Sequence, residues 1–247
     1  MVAVVPVHGS KARLYYHKID MSDYAEDIKA TISRDQAQHK PFSASFVTVV
    51  PGQSMALILT IGGSPYIQDA LATQAWTELQ ADAPRHFAYS PFGDSTGGVA
   101  LCGKTAQNNH SINASKSDIV RLPIGVVGTD EFDLCDIVRA LAVQSVSPSA
   151  YITGPVGGST NGGAGYLIVT AVGAGATLTV TIGHSTNHID WSNLVTFEAV
   201  TPATLESVAS QQVVVAPLTT VNRYLRAEWT LTGGAATATF FVAFGRR

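Results

Sequence analysis

Two stretches decide the fold: GYLIVTAVGAGATLTVTIGHSTNHIDWSNLVTFEAVT (165–201) and VNRYLRAEWTLTGGAATATFFVAFGRR (221–247). Leu167, Val169 and Ala171, then Leu178, Val180 and Ile182, recur at every second position, and so do Tyr224, Arg226 and Glu228 with partners of opposite character. Period-two alternation between turn signals is the pattern of half-buried strands. A sheet of that kind buries one face and needs a second layer to cover it. The C-terminal third is therefore expected as a β-sandwich module.

Upstream, the β signal continues. KARLYY (11–16) alternates, and Ile28–Ser33 reads as a strand followed by a polar loop over 34–41. FSASFVTVV (42–50) alternates up to Pro51-Gly52, which reads as a turn, and MALILTI (55–61) is a buried-strand run that stops at Gly62-Gly63. Two strands around Pro51-Gly52 would form a hairpin. SDYAEDI (22–28) could open as a short helix capped by Ser22. The strongest helix signal is Ser64–Gln80: Ser64 as N-cap, Pro65 at the first helical position, and Ile67, Leu71, Ala75 and Leu79 at four-residue spacing. Gly125–Asp130 reads as a turn, and Asp133–Ala142 fits helix or strand. Residues 146–165 are rich in Gly, Ser and Pro and read as a linker. The division expected is thus 1–145, a β domain with one flanking helix; 146–165, a linker; and 166–247, an Ig-like β-sandwich.

Composition narrows function. Charged residues are 13% of 247, about half the usual ~25%, while apolar residues are 46%. So little charge points to surface that packs against other copies. Net charge is −3, with no basic patch to advertise nucleic-acid binding. Residues 1–145 hold 14 acids and 11 bases, and residues 146–247 hold 4 of each. Cys102 and Cys135 read as free buried thiols, with a single disulfide as the alternative. The start, MVAVVPVHGSK, lacks the pattern of a secretory signal, and no run of 18 apolar residues occurs.

No catalytic constellation emerges. His184 and His188, with Asp190, fall in a turn between strands, where four-residue spacing fixes no metal geometry. Asp20, Asp23, Glu26 and Asp27 lack the spacing of a calcium loop and read as a solvated cluster, as do Asp130, Glu131, Asp133 and Asp136. Trp191, Trp229, Tyr166 and Tyr224 suit a core, with a sugar platform as the alternative. Arg223 and Arg226 flank Tyr224, and a buried or interfacial ion pair with Glu228 is open to them. There is no phosphate loop and no nucleophile elbow. Accordingly no catalytic, cofactor-binding or metal residue is assigned, no cofactor is expected, and the chain is read as a non-enzyme.

Several motifs carry a resemblance. TLTVTIGHSTN (177–187), LVTFEAVT (194–201), VNRYLRAEWTLTGG (221–234) and FFVAFGR (240–246), with HGSKARLYY (8–16) and DMSDY (20–24), resemble the major tail tube proteins of long-tailed bacteriophages, in particular those of actinobacteria. The resemblance covers most of the chain. It implies a β-sandwich or barrel with one flanking helix and a C-terminal Ig-like module. It also implies a structural virion protein of a long non-contractile tail: a homohexamer whose stacked rings form the tube through which DNA passes without specific binding. Its partners would be itself and other tail proteins, and host surface glycans through the C-terminal module. It would act in viral genome ejection, reside in the virion tail, and be assembled in the host cytoplasm, with no membrane. The alternatives are a capsid decoration or fibre-like protein, or a carbohydrate-binding surface module.

Overall fold

The computed structural model describes residues 11–22, 27–39, 48–62, 77, 84–110, 124–145, 149–152, 157–233 and 236–247. The protein is mainly β. It packs as two compact units, Met1–Ser22, Arg85–Gly103 and Phe132–Arg247 in the first, and Asp23–Pro84 with Lys104–Glu131 in the second. Strands are named in chain order: β1 Arg13–Tyr16, β2 Ile19–Asp20, β3 Asp27–His39, β4 Thr48–Gly62, β5 Arg85–Ser90, β6 Val99–His110, β7 Ile124–Gln144, β8 Ser149–Ile152, β9 Gly163–Val172, β10 Thr177–Ser185, β11 Ser192–Thr196, β12 Ser210–Val215, β13 Tyr224–Thr232 and β14 Ala238–Arg246. A single helical turn, α1, spans Leu205–Val208.

In the first unit one sheet runs β12-β9-β14-β7-β6-β5-β1-β2, and a four-stranded sheet runs β11-β10-β13-β8. Leu178, Val180 and Ile182 of β10 and Leu225, Ala227 and Trp229 of β13 point inward and are buried. They meet Leu167 and Val169 of β9 and Phe240, Val242 and Phe244 of β14, which form the sandwich core. The opposite face of the same two strands is also covered. Tyr166, Ile168, Phe241 and Ala243 pack with Tyr15, Ala88, Ala100, Cys102, Cys135 and Ile137, because the large sheet curls round until β1, β5 and β6 lie over β9 and β14. The curl brings β12 against β5: the His86 ring Nδ1–H donates to the Ser210 carbonyl at 3.2 Å. The curled sheet thus wraps the second core as a half-barrel, with side chains bridging from β12 to β5.

Several expectations are corrected by this arrangement. The described parts of 146–165 are not a free linker: β8 belongs to the four-stranded sheet, Ser159 bridges to Val221, and β9 starts at Gly163. The chain does not divide there, because β14 lies between β9 and β7 in one sheet. Two of its glycines, Gly162 and Gly163, serve close packing. A Cβ on Gly162 would stand 2.3 Å from the Ala216 carbonyl oxygen, and one on Gly163 2.2 Å from that of Gly245. The expected turns at Gly125–Asp130 and Pro51-Gly52 lie inside β7 and β4. The helix expected over Ser64–Gln80 lies outside the described residues except Thr77, which is helical. So does most of the short segment at 22–28.

Candidate functional site

The second unit is dominated by one hairpin. β3 and β4 pair antiparallel from Asp27↔Gly62 to His39↔Thr48. The strand thus continues through 34–39, where sequence suggested a polar loop. The ladder is irregular once, between Arg34 and Gln36, where the partner position moves from Met55 to Pro51. Proline has no N–H to give to a ladder and is accommodated in sheets at bulges and edges. Pro51 therefore sits where the pairing is already broken and does not turn the chain. On its other side β4 pairs with β7 over Ile58–Ile61 and Ile124–Val127. Among the described residues β3 pairs with β4 alone.

Among the described residues β3 is thus an edge strand, on a ribbon that is two-stranded for much of its length. Ile32 is 52% exposed and Ile58 is 43% exposed. Ile32 stands opposite Leu57 and Ile58 opposite Thr31, so the two isoleucines lie on opposite faces of the ribbon. An isolated two-stranded ribbon is marginal in water, and an edge strand offers its free N–H and C=O groups as a template for another chain.

The residues singled out for chemistry have structural employment in the first unit. His184 accepts a hydrogen bond from the Asn222 N–H at 3.1 Å, and burial pushes its pKa down. His188 adopts φ 68° in a self-capped loop, where Ser185 Oγ accepts its N–H and Asn187 Oδ1 accepts those of Ile189 and Asp190. Among the described residues no group of three His, Cys, Asp or Glu side chains could hold a metal ion. Cys102 and Cys135 are buried free thiols, and burial, then the neighbouring Cys102, pushes Cys135 well above the usual thiol range.

Of the acidic clusters, Asp133 and Asp136 are spent on the chain end. Arg247 forms a two-pronged ion pair with Asp133 at 2.9 and 3.0 Å, Arg246 pairs with Asp136, and Tyr166 donates to Asp133 at 2.6 Å. Burial, reinforced by that bond, holds the Tyr166 hydroxyl protonated far above its ordinary range. Asp20 accepts the Ser22 N–H at 2.9 Å. Trp229 is core, edge-on to Phe240. Trp191 is not an open platform: the Arg226 guanidinium lies 4.4 Å from its ring centre and the His188 ring is stacked at 6.1 Å. Of the two arginines beside Tyr224, Arg226 pairs with Glu228 at 2.5 Å. Half-exposed pairs of this kind contribute about 0–1 kcal/mol.

Sequence reasoning missed a cluster at the bridged side of the half-barrel. His17, in the turn between β1 and β2, is fully buried at φ 52°. Its Nε2–H donates to the Glu206 carbonyl at 3.1 Å, which leaves Nδ1 to accept from the Ser210 hydroxyl at 3.0 Å. Lys18 pairs with the Glu206 carboxylate, whose pKa is lowered chiefly by that hydrogen bond. The partners lie nearly 190 residues apart, beyond any local pattern.

No protein-family model matches the chain, and no curated protein matches it. Some solved structures are similar to it. One is from the virion of a native gene transfer agent particle: 7% identity, 52% of this chain and 98% of that one, TM-score 0.42. Another is the SPP1 Dit protein, described as a paradigm of the hub adsorption apparatus in Gram-positive infecting phages: 7% identity, 96% and 99% of the two chains, TM-score 0.38. A third is the tube-terminating cap of the anti-feeding prophage: 12% identity, 55% and 95%, TM-score 0.41. Likenesses this slight carry no argument about the chain.

Proposed function

We propose that this protein is a structural subunit of a bacteriophage tail tube. It assembles with copies of itself into stacked rings of six around a channel for DNA. The observation that carries the reading is the β3–β4 hairpin: a ladder reaching from Asp27↔Gly62 to His39↔Thr48, with no second strand on β3 among the described residues and with isoleucine exposed on both faces. Pairing of β3 with a neighbouring copy would satisfy its edge and cover Ile32 or Ile58. The motif resemblance supports the same role, and so does the low charge, since subunit contacts are depleted in charged residues. A net charge of −3 suits a channel that lets DNA pass without holding it.

Negative-stain microscopy and light scattering on the purified protein test the proposal, alongside Ile32→Glu. The expected result is rings or tubes with a central channel for the wild type. The variant should remain a monomer with an unchanged circular dichroism spectrum. Compact trimers without a channel would overturn the tube reading in favour of a decoration or fibre-like protein. Rings that form equally well from Ile32→Glu would remove the hairpin edge as the contact.

A further inference from the structure

We propose that Asn161 is a site of spontaneous, one-way modification, deamidation by attack of the Gly162 nitrogen on its side-chain amide, and that the turn over Ala216–Thr219 is the gate that withholds the reaction in the folded protein. The proposal does not rest on the assembly reading and holds for a free subunit.

The sequence supplies the reacting pair. Asn161-Gly162 is the single Asn-Gly step of the chain. Glycine has no Cβ to shield its nitrogen or to limit its backbone, so that nitrogen can close on the neighbouring side chain. The Gly162 nitrogen gives up its proton and bonds Asn161 Cγ; the bond from Cγ to the side-chain nitrogen breaks, and ammonia leaves. Water then opens the five-membered imide at either carbonyl and leaves aspartate or isoaspartate at position 161. The side chain itself is ready for this: Asn161 is exposed, and among the described residues its amide makes no hydrogen bond.

The backbone holds the reaction back. The Gly162 N–H donates to the Thr219 carbonyl at 3.0 Å, and the Gly162 carbonyl accepts the Arg247 N–H at 3.3 Å. The Asn161 N–H donates to Ser159 Oγ at 3.1 Å, and Ser159 exchanges two backbone bonds with Val221, at 2.9 and 2.7 Å. Gly162 lies at φ +71°, where a Cβ would stand 2.3 and 2.5 Å from the carbonyl oxygens of Ala216 and Val215. Swinging the peptide between 161 and 162 so that its nitrogen meets Cγ therefore breaks the bond to Thr219 and drives Gly162 against the turn. That turn is closed by the Thr219 N–H, which donates to the Ala216 carbonyl at 3.2 Å, with Leu218 at φ 68°. Pro217, at its second position, fixes one more dihedral and stiffens it. The modification is one-way in structure as well as in chemistry. Isoaspartate adds a methylene to the main chain just ahead of Gly163, where a Cβ would already stand 2.2 Å from the Gly245 carbonyl oxygen. The lengthened chain cannot resume the same path into β9.

A reaction that waits on local opening runs at the open fraction of its intrinsic rate. The full chain is held at pH 8 and 37 °C, folded or unfolded in guanidinium chloride, and the peptide containing Asn161 is followed by mass spectrometry. The unfolded chain should deamidate at Asn161, and the folded chain should do so at least about tenfold more slowly. Pro217→Gly leaves the reacting pair untouched and frees the turn. It should speed the folded reaction about two- to fivefold and leave the unfolded rate unchanged. An unfolded chain that keeps Asn161 intact overturns the site. A folded wild type that reacts as fast as the unfolded chain overturns the gate, and so does a folded Pro217→Gly that reacts no faster than the wild type. Should the variant fail to fold, exchange of the Gly162 amide in the folded wild type gives the opening directly. It must be slowed by the same factor as the deamidation, and unequal factors overturn the gate.

Discussion

Gly162 and Gly175 hold nearly the same left-handed backbone, φ +71° and +72°, in different surroundings. Nothing lies within 4 Å of a Cβ placed on Gly175, whereas one on Gly162 would meet the carbonyl oxygens of Ala216 and Val215 at 2.3 and 2.5 Å. Gly175→Ala should therefore cost only the conformational penalty, about 1–2 kcal/mol. Gly162→Ala should cost clearly more, since backbone must move as well. Urea unfolding of both variants measures the difference, and equal losses would contradict the packing described for residues 157–165. Here the sequence misleads for a physical reason: glycine is chosen both where a chain is loose and where two backbones touch, and composition does not separate the two. Asp133 was similarly opaque, since its partners, Tyr166 and Arg247, stand 33 and 114 residues away.

Among the elements, β10 was the most legible, its Leu178, Val180 and Ile182 alternating in the sequence and buried in the sandwich. β9 and β14 were legible as strands but not in their depth. Alternation leads one to expect one wet face, yet Phe240 and Phe241 are both fully buried, because each face of β14 has its own covering layer. Consecutive substitutions should thus be equally severe. Phe240→Ala and Phe241→Ala should each cost about 3–5 kcal/mol, against no more than about 0.5 kcal/mol for Val214→Ala, an exposed position of β12. Denaturant midpoints decide it, and a mild Phe241→Ala would mean that the half-barrel core is not packed as described. Pro51-Gly52 was misread because a proline that breaks a ladder and a proline that turns a chain look alike until the partner strand is known.

For the molecule as a whole, the half-barrel interior sets a limit on the alkaline side. Tyr15 donates to Asp94 at 2.6 Å and Tyr166 to Asp133 at 2.6 Å, and both rings sit in the half-barrel core. Burial first, and then the bond to the carboxylate, raises both hydroxyls far above the usual tyrosine pKa near 10. A raised pKa means that the folded protein keeps protons which the unfolded chain gives up. The stabilisation is complete below pH 10 and declines as pH rises beyond it, because only the unfolded chain ionises there. The unfolding constant should then climb by up to about tenfold per pH unit for each tyrosine. Tyr166→Phe leaves Arg247 on Asp133 and removes one of the protons that only the fold retains, while Tyr15 and the buried Cys135 thiol keep theirs, so the protein should lose stability at neutral pH yet show a shallower alkaline slope than the wild type. Urea midpoints between pH 9 and 11 measure both slopes. An identical slope in the variant would mean that the Tyr166 hydroxyl ionises within the fold, which its position beside a buried carboxylate opposes.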